Sequence, residues 1–152
     1  MFNPSDVNLL MNIIRQDLLK IIGETLYMTF VPTIIAFVVG LPLGILLVTG
    51  EEGGIRPIPK AVMKVINVII NLLRSIPFLI LLVVVLPLSR FIVGTTVGAS
   101  AIIVPLSIAA FPFIARLVET SIREVDKGVI EAAQAMGASP FQIVWKVLIP
   151  EA

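Results

Sequence analysis

Residues 25–48 read TLYMTFVPTIIAFVVGLPLGILLV, 24 positions without one charged side chain, closed by Glu24 before and Glu51 after. A helix needs about 20 apolar residues to cross the ~30 Å hydrocarbon layer of a bilayer, and core helices of soluble domains hold shorter uncharged runs. Pro32, Gly40, Pro42 and Gly44 fall inside the stretch. Membrane helices tolerate such residues where neighbouring groups re-satisfy the freed backbone, so the pattern predicts a kinked span in close contact with other helices. The rest of the chain agrees. It is 58% hydrophobic and 14% charged, where soluble domains carry about 25% charged residues. The apolar residues come in long blocks, so lipid is the solvent for most of the chain.

On the N-terminal side, Val7, Leu10, Met11, Ile14, Leu18, Ile21 and Ile22 recur at three- and four-residue steps, with Asn8, Asn12, Arg15, Gln16 and Lys20 between them. This predicts an amphipathic helix over residues 7–22. Packing on other helices and lying flat in the membrane interface both fit. A bilayer span follows, so the second is preferred and residues 1–23 form an interfacial segment. Asp6, Arg15, Asp17 and Lys20 interrupt this region, and it lacks a compact apolar core followed by a small-residue cleavage site. The first span is therefore expected to be an uncleaved anchor.

On the C-terminal side, Gly50, Gly53, Gly54, Pro57 and Pro59 forbid a continuous helix and make residues 49–60 a loop. Lys60, Lys64, Asn67, Asn71 and Arg74 then step by four, three, four and three, which places them on one helical face. The apolar run from Ser75 to Leu88 is too short to cross alone. A second span over about 65–88 must therefore carry Asn71 and Arg74 into the membrane region. A third span over about 92–115 contains Pro105 and Pro112 and many small residues, with a break or kink expected at Pro112. Residues 24–118 are thus a transmembrane region of three spans, and the expected fold is an all-α polytopic bundle.

From Arg116 onward the chain turns polar. Residues 119–152 read as two short helices, the first about Lys127–Met136 with Asp126 as N-cap and Gly137 as a left-handed stop. Ser139-Pro140 opens the second, and Pro150 marks its end or a kink. With the N-terminus outside, cytoplasmic segments hold Arg56, Lys60, Lys64, Arg116, Arg123, Lys127 and Lys146, against Arg15, Lys20 and Arg90 outside. The excess predicts an outside N-terminus and a cytoplasmic residue 116–152 segment.

Several functions are excluded or disfavoured. The net charge is +1 with no basic stripe, so nucleic acid is not a partner. The chain has no cysteine and no histidine, which removes thiolate chemistry, the commonest metal ligand and the commonest general base. A serine–histidine or zinc intramembrane protease is disfavoured on that ground. An aspartyl type is disfavoured too, because Asp6, Asp17 and Asp126 all fall outside the spans. No phosphate-cradling Gly-x-x-x-x-Gly-Lys-Ser/Thr loop is present, so the chain does not hydrolyse ATP. A transport subunit and a membrane scaffold both remain.

The informative segment is Glu131-Ala132-Ala133, three residues, Gly137, nine residues, then Val147-Leu148-Ile149-Pro150. A helix stopped by glycine and followed by a second helix makes a projecting hairpin. Its small residues Ala132, Ala133 and Ala135 suit a partner's groove, and Glu131 offers a carboxylate to a basic residue there. The spacing resembles the EAA loop of type I ABC-importer permeases, with Val147 for the usual Ile and Ile149 for the usual Leu. Arg74-Ser75-Ile76-Pro77-Phe78, Ile92-Val93-Gly94-Thr95, Pro112-Phe113-Ile114-Ala115-Arg116, Ala135-Met136-Gly137-Ala138 and Thr49-Gly50-Glu51 together resemble the methionine-importer branch, over most of residues 24–152.

The resemblance implies an inner-membrane permease working as a homodimer. Its coupling loop, Glu131, Ala132, Ala133, Gly137 and Pro150, would meet a separate ATP-binding ATPase subunit. An extracytoplasmic substrate-binding lipoprotein would deliver the amino acid, and the permease itself carries no cofactor. Other amino acids or oxyanions stay open as substrates. Permeases of this kind continue past the loop with further spans, so a chain ending at Ala152 is expected to be part of a longer one. Asn71, Arg74 and Ser75 form the intramembrane polar group. For Arg74 two readings stand: a pathway or structural role, or a shallow position from which it snorkels to the headgroups.

Overall fold

The structure, a computed structural model, describes residues 4–152. Helix α1 runs unbroken from Pro4 to Thr49. The separate interfacial helix expected over 7–22 is continuous with the span that follows. Gly23 is the only weak point at that junction, and one glycine costs about 1 kcal/mol in a helix interior, too little to end it. At 46 residues the helix is about 69 Å long, well beyond the ~30 Å of hydrocarbon. The stretch Asp17–Thr49 is long and apolar enough to cross. Thr25, Thr29 and Thr33 fit this setting because each hydroxyl donates to the carbonyl four residues back, at 2.6–2.7 Å.

Over the second span expected at about 65–88 the chain forms two helices, α2 (Lys60–Ser75) and α3 (Phe78–Val93). Their axes turn through 112°. Pro77 explains the break. It has no N–H for the carbonyl of Leu73, and its ring drives Ile76 out of the helical region, to φ −77° and ψ 126°. Helix α4 (Ala99–Arg123) is a second helix long and apolar enough to cross. Of the break or kink expected at Pro112, no break occurs. Pro112 is fully buried inside α4, and the helix runs on to Arg123. Arg116 and Glu119 therefore lie on the last turns of α4, not in a loop.

Helices α1 and α4 run side by side in the same direction. Two glycines permit this. A Cβ on Gly40 would lie 2.9 Å from Ile114 and from the Phe111 carbonyl, and one on Gly44 would lie 2.6 Å from Val118 and the Ala115 carbonyl. A small-xxx-small stripe of this kind is a common route to close backbone approach in membranes. Because α1 and α4 point the same way, α2 and α3 must together return the chain to the side where α4 begins. Beneath the shared end of α1 and α4, Leu47, Met63, Ile70 and Ala115 form one buried cluster, joining α2 to the pair.

Candidate functional site: the C-terminal hairpin and its ionic foot

Helix α5 (Lys127–Ala135), helix α6 (Pro140–Ile143), a π-helical turn (Val144–Leu148) and helix α7 (Ile149–Glu151) form the hairpin. Its shape is set by its caps. The Asp126 carboxylate accepts the Gly128 N–H at 2.6 Å. At the other end of α5 the Gly137 N–H donates to the Gln134 carbonyl at 2.9 Å and the Ala138 N–H to the Ala133 carbonyl at 3.1 Å. This is a Schellman stop, and it needs the left-handed φ of +78° that Gly137 adopts. Ser139 then opens α6 with a reciprocal capping box. The Ser139 N–H donates to the Gln142 side-chain oxygen at 2.9 Å, and the Ser139 hydroxyl accepts the Gln142 N–H at 3.4 Å. Pro150 lies just past the π-helical turn, and the helix continues through it to Glu151. A widened turn relieves the proline's conflict with the preceding carbonyls.

The hairpin stands on a buried foot. Ala133, Ile143 and Leu148 pack with Ile122 and Val125 from the end of α4, and Ile45 and Val48 of α1 close the cluster. Ala133, read with Ala132 and Ala135 as a small residue suiting a partner's groove, is only 4% exposed here and packs inward. Ala133 lies one helical turn from Ile130 and shares its inward face, leaving Glu131, Ala132 and Ala135 exposed. Glu131 lines a cleft of about 510 Å³ between the hairpin and the loop after α1, together with Glu51, Glu52, Arg123, Lys127 and Gln134.

On the outer surface Met136, Phe141 and Trp145 are 81%, 75% and 63% exposed. The Phe141 and Trp145 rings stack with centroids 6.4 Å apart. In sequence, Phe141 and Trp145 carry no assigned role, and Met136 enters only as a helix end and part of the resemblance. For Phe141 and Trp145 the signal is their phase, since they lie two residues either side of the buried Ile143 on the same arm.

The polar residues at the base of α4 form a connected chain. The buried Glu119 carboxylate accepts from both Arg116 and Arg123, the latter at 2.9 Å. Arg123 also makes a two-pronged pair with Glu51, just after α1. Arg116 reaches across to α2, donating to the side-chain oxygens of Asn67 at 2.7 Å and Asn71 at 2.9 Å. Of the intramembrane polar group, Asn71 thus has its partner on α4. Ser75 donates to the Asn71 carbonyl at 2.7 Å, within α2. Arg74 is exposed and forms no hydrogen bond or ion pair among the described residues. Sequence spacing put Asn67 and Asn71 on one face, but nothing local identified Arg116, 45 residues beyond Asn71, as their donor.

The chain is thus a bundle of apolar helices with a capped hairpin projecting from one end. The family model described as "Binding-protein-dependent transport system inner membrane component" matches residues 40–152, and the chain belongs to that family of multi-pass inner-membrane proteins. Among curated relatives, the D-methionine transport system permease protein MetI of Escherichia coli O157:H7 is 52% identical over 135 residues, covering 89% of this chain and 62% of the relative. The MetI protein of Yersinia pestis is 50% identical over 131 residues, covering 86% of this chain and 60% of the relative. The chain therefore spans about three-fifths of the length of these relatives. A solved structure of the MetNI methionine ABC transporter in an inward-facing conformation superposes with a TM-score of 0.81 at 51% identity, covering 86% of this chain and 60% of that one.

Proposed function

We propose that this chain is the membrane subunit of an ATP-driven importer whose substrate is methionine. The observation that carries the reading is the 52% identity to a D-methionine permease across 89% of the chain. In this role the protein is not an enzyme and holds no cofactor. ATP is bound by a separate ATPase subunit that seats on the hairpin, and the permease pairs with a second copy. A substrate-binding lipoprotein supplies the amino acid from outside.

The hairpin supports that assignment physically. Two caps and a left-handed glycine hold it rigid, and Glu131, Ala132 and Gly137 lie on its exposed side. Pro150 sits where the second arm leaves the widened turn. A rigid projection of this kind can pass a push from the ATPase to the ends of α1 and α4 on which it stands. Asn71 and Ser75 lie at the base of the α2–α3 bend and act there as structural polar groups, while the free Arg74 side chain reaches headgroups or water. The test is uptake of labelled methionine into vesicles holding the permease, its ATPase and its binding protein. ATP-dependent accumulation is expected. Accumulation of another amino acid but not methionine would leave the importer and overturn the substrate.

A further inference from the structure

We infer that Arg116 is the positioning residue that ties α2 to the hairpin, so that movement of the hairpin reaches the α2–α3 bend through its hydrogen bonds to Asn67 and Asn71. The inference rests on the transport reading for its consequence, and on geometry for the tie itself. The hairpin's foot is the end of α4, through Ile122 and Val125. One to two turns earlier on the same helix, Glu119 holds the Arg116 guanidinium from one side. The other prong of Arg116 then has a single direction, toward α2, where it meets two amide oxygens at 2.7 and 2.9 Å.

Two features make this contact matter more than an ordinary surface bond. First, α2 is otherwise lightly held. Its Val62, Val65, Val68, Ile69 and Leu72 are exposed, and only Met63, Ile66 and Ile70 pack on the Leu47–Ala115 cluster. Second, the Arg116 side chain is 20% exposed and that of Glu119 10% exposed. Charge-assisted hydrogen bonds with little water around them are strong and directional. Arg123 fixes the other oxygen of the same carboxylate and grips Glu51 after α1. The result is a cross-brace through Glu51, Arg123, Glu119, Arg116 and the two asparagines, lying directly above the hairpin. Among the described residues Arg116 is the brace's link to the middle of α2, while the exposed Lys60–Glu52 pair holds only that helix's first residue.

The variant Asn67→Leu/Asn71→Leu removes both acceptors with side chains of similar size that suit a membrane helix, and leaves the Arg116–Glu119–Arg123 charges paired. In the assembled transporter in vesicles, ATP hydrolysis is expected to stay near the parent rate while substrate accumulated per ATP falls by about tenfold, a usual size for coupling between sites. A role in folding alone would lower both together through loss of protein. Since the chain has no cysteine, spin labels can be placed singly at Val68→Cys on α2 and Val129→Cys on α5. Their distance distribution is expected to be narrow in the parent and clearly broader in the variant. An unchanged distribution, or accumulation per ATP equal to the parent's, overturns the inference. If the unmodified transporter accumulates no amino acid at all, the transport reading fails, and the label distances still decide whether Arg116 ties α2 to the hairpin.

Discussion

At Gly137 the absence of a side chain decides the shape of the hairpin. The residue adopts φ +78°, where an L-residue pays about 1–2 kcal/mol and a β-branched one more. No heavy atom lies within 4 Å of the place a Cβ would take, so the penalty is conformational and not a clash. Gly137→Val is therefore expected to insert normally but to abolish uptake, because α6 would leave α5 at a different angle. Gly137→Asn, which tolerates the left-handed region, should keep a measurable fraction. Uptake at matched membrane yield checks both, and normal transport by the valine variant would remove the left-handed stop from the mechanism. Gly44 makes the opposite case. There a Cβ would sit 2.6 Å from a carbonyl and a side chain on α4, and backbone cannot yield as a rotamer can. Gly44→Leu is expected to separate α1 from α4 and cut the yield of folded protein, measured by size-exclusion of the detergent extract. A normal monodisperse yield would show that the two helices can part without loss.

Among the elements, the α2–α3 bend has a cause that can be tested at one position. Pro77→Ala restores an N–H facing the Leu73 carbonyl and lifts the restriction on Ile76. The separation between labels at Val65 and Val84 is expected to lengthen toward the ~28 Å of a straight helix. An unchanged distance would mean that packing of α2 and α3 on α4 imposes the 112° turn without the proline. The same comparison explains which elements were legible in the sequence. The hairpin was, because Asp126, Gly137 and Ser139-Pro140 act on backbone groups within a few residues of themselves. The membrane class and the three apolar blocks were also legible from hydropathy alone. The prolines were ambiguous, since Pro77 breaks its helix while Pro112 does not. Which outcome wins depends on the neighbour: Pro112 is buried inside the bundle, and α1 at Gly40 holds the helix there in line. The Arg116–Asn71 contact could not be read at all, because sequence gives the face of each helix but not the helix it meets.

For the whole molecule, the parallel course of α1 and α4 fixes which ends share a side. Gly40 meets Phe111 and Ile114, and Gly44 meets Ala115 and Val118, so the loop after Thr49, the end of α4 and the hairpin lie together. The residues joining α3 to α4, around Thr95–Gly98, lie at the other end. Arg56, Lys60, Lys64, Arg123, Lys127 and Lys146 all belong to the hairpin end, while Arg90 stands near the α3–α4 turn. The positive-inside rule then predicts the hairpin on the cytoplasmic side and Thr96 outside. A chain without cysteine lets this be read one position at a time. Thr96→Cys is expected to react with an impermeant thiol reagent in intact cells, after the outer membrane is made permeable. Val129→Cys, exposed on α5, should react only once the inner membrane is opened. Labelling of Val129→Cys in sealed cells would reverse the orientation. Labelling of both from the same side would show that α4, which lies between them, does not cross the membrane.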